Sequence, residues 1–155
     1  MQKLKILNNH EVKKIKEIIL RDYGYFPEEN YAYLLSEKEK IFLVNKDVAR
    51  IDLEKLRIDR VGLCFAEMKD GKIRLSKEGA QLLAQQGLEK LKNVVELTAA
   101  ELKKYFLGED LPKELGEESK FVLLKYKNDI LGCAKYKEKN IINFLPKIHR
   151  GEVII

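Results

Sequence analysis

Phe121-Val122-Leu123-Leu124-Lys125-Tyr126, the polar link Lys127-Asn128-Asp129, and Ile130-Leu131-Gly132-Cys133-Ala134-Lys135-Tyr136-Lys137 form two β-rich runs that meet at a turn. The pair reads as a β-hairpin and decides the fold of the C-terminal third. Downstream, Ile141-Ile142-Asn143-Phe144 and Glu152 to Ile155 read as short strands on either side of Pro146. Upstream, Asn93 to Leu97 reads as a strand, and Thr98-Ala99-Ala100-Glu101 is a capping box that opens a helix. That helix runs to Leu107 with Gly108 at its C-terminal end, and an acidic loop with Pro112 and Gly116 leads back to the hairpin. Many short strands with one or two small helices predict a small β-barrel that closes its own edges.

The rest of the chain reads as a second, mixed unit. Asn8 and Glu11 form a capping box for a helix whose apolar stripe is Val12, Ile15, Ile18 and Ile19, ended by Tyr23-Gly24-Tyr25-Phe26-Pro27. Tyr31 to Leu35, Lys40 to Val44 and Asp47 to Ile51 read as strands, as does the run from Arg60 to Met68. Asp70-Gly71 turns that run into Lys72-Ile73-Arg74-Leu75, a hairpin signal. Ser76 caps a helix holding Ala80, Leu82, Leu83 and Ala84 and stopped by Gly87. The expected fold class is α+β: an N-terminal α+β unit over residues 1–90, then a β-barrel with short helices over residues 91–155.

Composition removes several function classes. Among 155 residues, no apolar run approaches the ~20 needed to cross a bilayer, and no charged start followed by an apolar stretch opens the chain. A cytoplasmic protein without membrane contact is expected. Cys64 and Cys133 each sit inside a strand-like apolar run and are expected as buried thiols, with no CxxC spacing. The nine glycines are scattered and build no phosphate loop. His10 and His149 lie at opposite ends, and no pair of carboxylates stands apart from helix faces and turns. The expectation is no enzyme, no metal and no cofactor.

Charge is unevenly placed. Residues 120–150 hold eight basic residues (Lys120, Lys125, Lys127, Lys135, Lys137, Lys139, Lys147, Arg150) against Asp129 and Glu138, a net of +6. The remainder, with 22 basic and 23 acidic residues, is at −1, so the overall +5 comes from this segment. Lys125 and Lys127 are two apart, as are Lys135, Lys137 and Lys139, and in a strand such sets share a face. Tyr126, Tyr136 and Phe144 interleave them, and Asn143, Lys147, His149 and Arg150 cluster around Pro146. Cations with interleaved rings suit phosphate contact and base stacking. The plain counterpart is a solvated strand whose tyrosines belong to the core.

A resemblance favours the first reading. Ile130-Leu131-Gly132-Cys133-Ala134-Lys135 followed by Asn143-Phe144-Leu145-Pro146-Lys147-Ile148-His149-Arg150 resembles the "LGxxK … N-x-x-P-K-x-x-R" ending of the RNA-binding C-terminal region in RsmF-type rRNA cytosine-5 methyltransferases. Arg60-Val61-Gly62-Leu63 with Arg74-Leu75-Ser76, and Glu96-Leu97-Thr98 through Tyr105-Phe106-Leu107-Gly108, resemble earlier steps of that region, in the same order. Cys133-Ala134 stands where members often have a second glycine or an aromatic. The resemblance implies a PUA-like barrel, and RNA-binding residues Lys135, Asn143, Lys147 and Arg150. Lys137 joins them by spacing, and Lys72 and Arg74 of the Asp70-Gly71 hairpin extend the surface.

That family's catalyst uses a cysteine after a proline, whereas the three prolines here precede Glu28, Lys113 and Lys147. The expectation is therefore a stand-alone RNA-binding module in rRNA or tRNA maturation, beside an RNA methyltransferase or a ribosome-assembly factor. The second reading is a protein-interaction subunit that docks through the Val12, Ile15, Ile18, Ile19 stripe and touches RNA little.

Overall fold

The structure is a computed structural model and describes residues 4–28, 31–45, 63–69, 71–145 and 147–152. The chain divides into two compact units, Met1–Lys92 and Asn93–Ile155. The strand expected at Asp47 to Ile51, the stretch Arg60-Val61-Gly62, Asp70 and Pro146 lie outside the described residues.

The N-terminal unit runs β1 (Leu4–Ile6), α1 (Asn9–Tyr23), β2 (Tyr31–Ser36), β3 (Lys40–Asn45), β4 (Leu63–Lys69), β5 (Lys72–Leu75) and α2 (Lys77–Gly87). Its five strands form one antiparallel sheet in sequence order. The capping box forms as read: Glu11 N–H donates to Asn8 Oδ1 at 2.9 Å, and Asn8 N–H donates to Glu11 Oε1 at 3.1 Å. Gly24, at φ 87°, ends α1 by donating its N–H to Ile19 O and Leu20 O. α1 turns Ile15, Ile19 and Tyr23 into the core, and the Tyr23 hydroxyl donates to Ile73 O at 2.5 Å. The stripe that could have formed a partner groove is thus mostly covered, with Val12 and Ile18 half-buried.

α2 is bolted to β4 by the serine that caps it. Ser76 Oγ accepts from Gly79 N–H at 2.8 Å and donates to Cys64 O and Phe65 O. A Cβ at Gly79 would stand 2.1 Å from Phe65 O, so this first-turn position admits only glycine.

The C-terminal unit runs β6 (Val94–Glu96), α3 (Ala99–Phe106), β7 (Leu111–Pro112), β8 (Lys120–Tyr126), β9 (Asp129–Lys137) and β10 (Asn140–Ile142), with a 3-10 turn at Lys147–His149. The sheet order is β6-β8-β9-β10-β7: β8, β9 and β10 form a meander, β7 adds antiparallel to β10, and β6 lies parallel to β8. This is the half-barrel that the strand-rich reading led toward, with β6 and β7 as its two edges among the described residues. Val122 and Leu124 of β8, Ala134 and Tyr136 of β9 and Ile141 of β10 share one face, and Tyr105 of α3 joins them in the core. Tyr136 is fully buried. Its hydroxyl donates to Gly116 O at 2.7 Å and accepts from Leu115 N–H at 2.9 Å, fastening the acidic loop to the sheet.

One strand boundary differs from the sequence reading: Phe144 falls beyond the end of β10. Of the strand expected over Glu152 to Ile155, residues 153–155 lie outside the described residues, and Glu152 has no strand structure. The bulge between Leu124 and Lys125 shifts the β8–β9 register, and Lys127 and Lys139 sit in turns at φ 54° and 63°. The alternating lysines therefore do not form one continuous face: Lys135 and Lys137 share a face of β9, and the others leave it.

The first-turn glutamates of α1 and α3 hold their protons weakly. At Glu101, burial works against the charge, but hydrogen bonds from the Thr98 backbone and the Lys113 ammonium outweigh it and lower the pKa. The stability this contributes is present above the ordinary carboxylate range and is lost as pH falls through the lowered folded value. Glu101→Gln should therefore flatten the acid limb of the stability curve, read by urea denaturation at stepped pH. In the β9–β10 turn, Glu138 and Lys139 both adopt positive φ, 50° and 63°, where asparagine and glycine are favoured. Glu138→Asn with Lys139→Gly should raise stability by about 1–2 kcal/mol despite loss of the exposed Lys139–Glu114 pair. An unchanged denaturation midpoint would show that the turn carries no such strain.

Candidate nucleic-acid interface

The C-terminal cluster of donors is built around the end of α3. An eight-residue helix leaves its last carbonyls without intrahelical partners, and the segment after β10 supplies donors to them. Asn143 Nδ2 donates to Tyr105 O at 2.8 Å and to Glu109 O at 2.9 Å, while Asn143 Oδ1 accepts from Leu145 N–H at 2.8 Å. The Asn143 N–H donates to Asp110 Oδ1 at 2.9 Å, and Gly151 N–H donates to Phe106 O at 2.7 Å. Asn143 therefore acts inside the fold. Both of its amide hydrogens are engaged, and its oxygen already accepts from one backbone N–H.

Arg150 does two things at once. Its Nε donates to Leu145 O at 3.0 Å, and its side chain lies across Gly108, where a Cβ would come within 2.6–2.7 Å of Nε, Cδ and Cζ. Gly108, at φ 87°, is needed both for the left-handed end of α3 and for that close approach. The two terminal nitrogens of the guanidinium have no partner among the described residues, and Arg150 as a whole is exposed. Gly132 has a comparable origin: the Tyr105 hydroxyl would stand 3.3 Å from a Cβ there. Burial, and then Cys133, push that hydroxyl up to about 12, so it stays protonated.

The remaining expected residues divide by what surrounds them. Lys135 is half-buried beside Phe121 and Ile142, while Lys137 and Lys147 are exposed; none of the three is ion-paired among the described residues. Lys125 pairs with Glu96 at 3.8 Å, Lys139 with Glu114 at 3.6 Å, and Lys127 lies over the Tyr126 ring at 5.5 Å. Tyr136 is core, so it offers no stacking surface, whereas Tyr126 and Phe144 are half-buried. Lys72 and Arg74 belong to the N-terminal unit. Lys72 is exposed, and Arg74 Nη2 donates to Glu67 Oε2 at 3.0 Å across the β4–β5 hairpin.

Dividing the charge by structural unit changes its meaning. Residues 1–92 hold 19 basic and 15 acidic residues, a net of +4, and residues 93–155 hold 11 and 10, a net of +1. The acidic loop between α3 and β8 lies in the same unit as the basic segment, and it supplies the partner of Lys139.

The clasp separates holding from touching. Asn143→Ala should lower stability by about 1–3 kcal/mol, because it removes three hydrogen bonds at once, although Tyr105 O keeps Gly108 N–H as a donor. Lys147→Ala should change it by less than about 0.5 kcal/mol. Chemical denaturation of the two variants side by side distinguishes them, and equal midpoints would mean that Asn143 is not a clasp.

A family model for the methyltransferase RsmF PUA domain matches residues 92–150. The chain is 30% identical over 138 residues to the ribosomal RNA small subunit methyltransferase F of Aeromonas hydrophila, covering 86% of this chain and 28% of that protein. It is 29% identical over 126 residues to the enzyme of the same name from Vibrio campbellii, covering 78% and 25%, and 30% identical over 124 residues to that of Vibrio parahaemolyticus, covering 73% and 25%. The chain thus spans about a quarter of the length of these curated relatives. Gly108, Gly132, Asn143, Lys147 and Arg150 all fall within the matched segment. The resemblance carried by the C-terminal motifs is matched by the family model for the methyltransferase RsmF PUA domain over residues 92–150.

Proposed function

We propose that this chain holds structured RNA in ribosomal or transfer RNA maturation in the cytoplasm, working with an RNA methyltransferase or a ribosome-assembly factor. The reading is carried by cations that have no acidic partner among the described residues of the PUA-matching segment, among them Lys135, Lys137, Lys147 and the outer edge of Arg150. Their targets are phosphates, which position an RNA without reading its sequence. Asn143 contributes by fixing the segment that presents Lys147 and Arg150. Lys72 and Arg74 form a second candidate patch, on a unit whose own net charge is +4.

No catalytic step is assigned to the chain. Its glutamates serve caps and ion pairs at Glu11, Glu67, Glu96, Glu101 and Glu114. The docking alternative loses its motivating feature, since Ile15 and Ile19 are buried.

With ~5 phosphate contacts on a paired stem, log K should fall with log salt at a slope of about −4.5. Changing Lys135, Lys137 and Lys147 together to alanine should reduce that slope to about −1.8. Fluorescence anisotropy with a labelled rRNA hairpin across roughly 50 to 200 mM salt measures both. A wild-type slope near zero, or a triple variant with the wild-type slope, overturns the proposal.

A further inference from the structure

Four large apolar residues are exposed among the described residues: Ile6, Leu20, Leu107 and Ile148. Single exposed hydrophobes are ordinary on protein surfaces. The two in the C-terminal unit, however, stand close in the chain to the two residues that meet where Arg150 crosses Gly108. Leu107 is 55% exposed and immediately precedes Gly108, over which Arg150 lies; Ile148 is 87% exposed and stands two residues before Arg150. The turn that carries Ile148 is tied down on both sides. Arg150 N–H donates to Lys147 O at 3.2 Å, Arg150 Nε donates to Leu145 O, and Gly151 N–H donates to Phe106 O. Ile148 is thus exposed on an anchored turn, next in the chain to Lys147, which has no ion pair among the described residues, and two residues before Arg150.

Resting on the RNA-holding reading above, we propose that Ile148 and Leu107 form an apolar rest for one unpaired nucleobase, with Lys147 and Arg150 taking the phosphates on either side of it. Charge selects the occupant. Lys103 and Lys104 are exposed on the last turn of α3, which adds positive charge around the pair. Of the acids nearby in sequence, Asp110 already accepts from Asn143 N–H, leaving Glu109 and Glu152. Within a continuous A-form stem the bases are stacked, so a short aliphatic side chain finds only backbone there. A base face is open to it at a bulge, a loop or an end, where the nucleotide is already unstacked. A β-branched side chain on an anchored backbone has few rotamers to lose on contact, so more of the interaction appears as affinity. The preferred RNA is therefore a stem interrupted by an unpaired nucleotide.

The test uses the full chain and two labelled hairpins that differ only in one bulged nucleotide, compared by anisotropy for wild type, Ile148→Ala and Lys147→Ala. Wild type should bind the bulged hairpin more tightly. Ile148→Ala should weaken the bulged complex about fivefold or more and change the paired one by less than about twofold. Lys147→Ala should weaken both alike. With 2-aminopurine at the bulge, the emission change on binding should be lost in Ile148→Ala. Ile148 is exposed, so an unchanged thermal midpoint verifies the fold of the variant. Equal losses on both hairpins, or no loss on either, overturn the inference; no loss assigns the apolar pair to a protein partner instead. If wild type binds neither hairpin, the RNA-holding reading falls and this inference falls with it.

Discussion

The carboxamide of Asn143 ties the chain after β10 to the end of α3, adding a second donor to Tyr105 O, which already accepts from Gly108 N–H. A short helix ends in bare carbonyls, and leaving them unpaired beside a packed core is costly. One side chain takes Tyr105 O and Glu109 O with its two amide hydrogens and holds Leu145 N–H with its oxygen. Gly151 N–H takes a further carbonyl, that of Phe106. Arg150 brings positive charge to the negative end of the helix, where it is favoured. The last described segment of the chain lies where it does because the end of α3 needs these donors.

That arrangement splits the C-terminal motif into two kinds of residue. Asn143, Gly108 and the Nε side of Arg150 hold the segment together, while Lys147 and the outer side of Arg150 face away from those contacts. A pattern that looks like a row of equivalent donors along the chain is therefore a frame with fewer side-chain groups left exposed beside it. The same economy appears at Ser76, which caps α2 and binds two carbonyls of β4 with one hydroxyl.

What could be read from the sequence was what depends on neighbours in sequence. Both capping boxes, the Ser76 cap and the β8–β9 hairpin are local devices, and each formed where its residues stood. β1 and β7, three and two residues long, are too short to carry a period and exist through pairing with distant strands. The lysine spacing misled because the bulge after Leu124 and the left-handed turns at Lys127 and Lys139 break the alternation. Lys125 found Glu96 across the parallel β6–β8 pair, which no spacing rule reveals. Asn143 read correctly as a donor, but its acceptors lie 38 and 34 residues away in the chain.

The parallel pairing of β6 with β8 has a consequence for how the unit forms. Val94 meets Leu123, and between them lie α3, the acidic loop and β7. A parallel neighbour cannot be reached by a tight turn, so closing this gap costs chain entropy before any contact offsets it. The β8–β9–β10 meander, joined by two-residue turns, can form locally and early. β6 emerges first during synthesis yet has no strand to join until β8 follows. An isolated eight-residue helix such as α3 is marginal as well. Order in the first part of this unit therefore arrives from its second part, as a single late step.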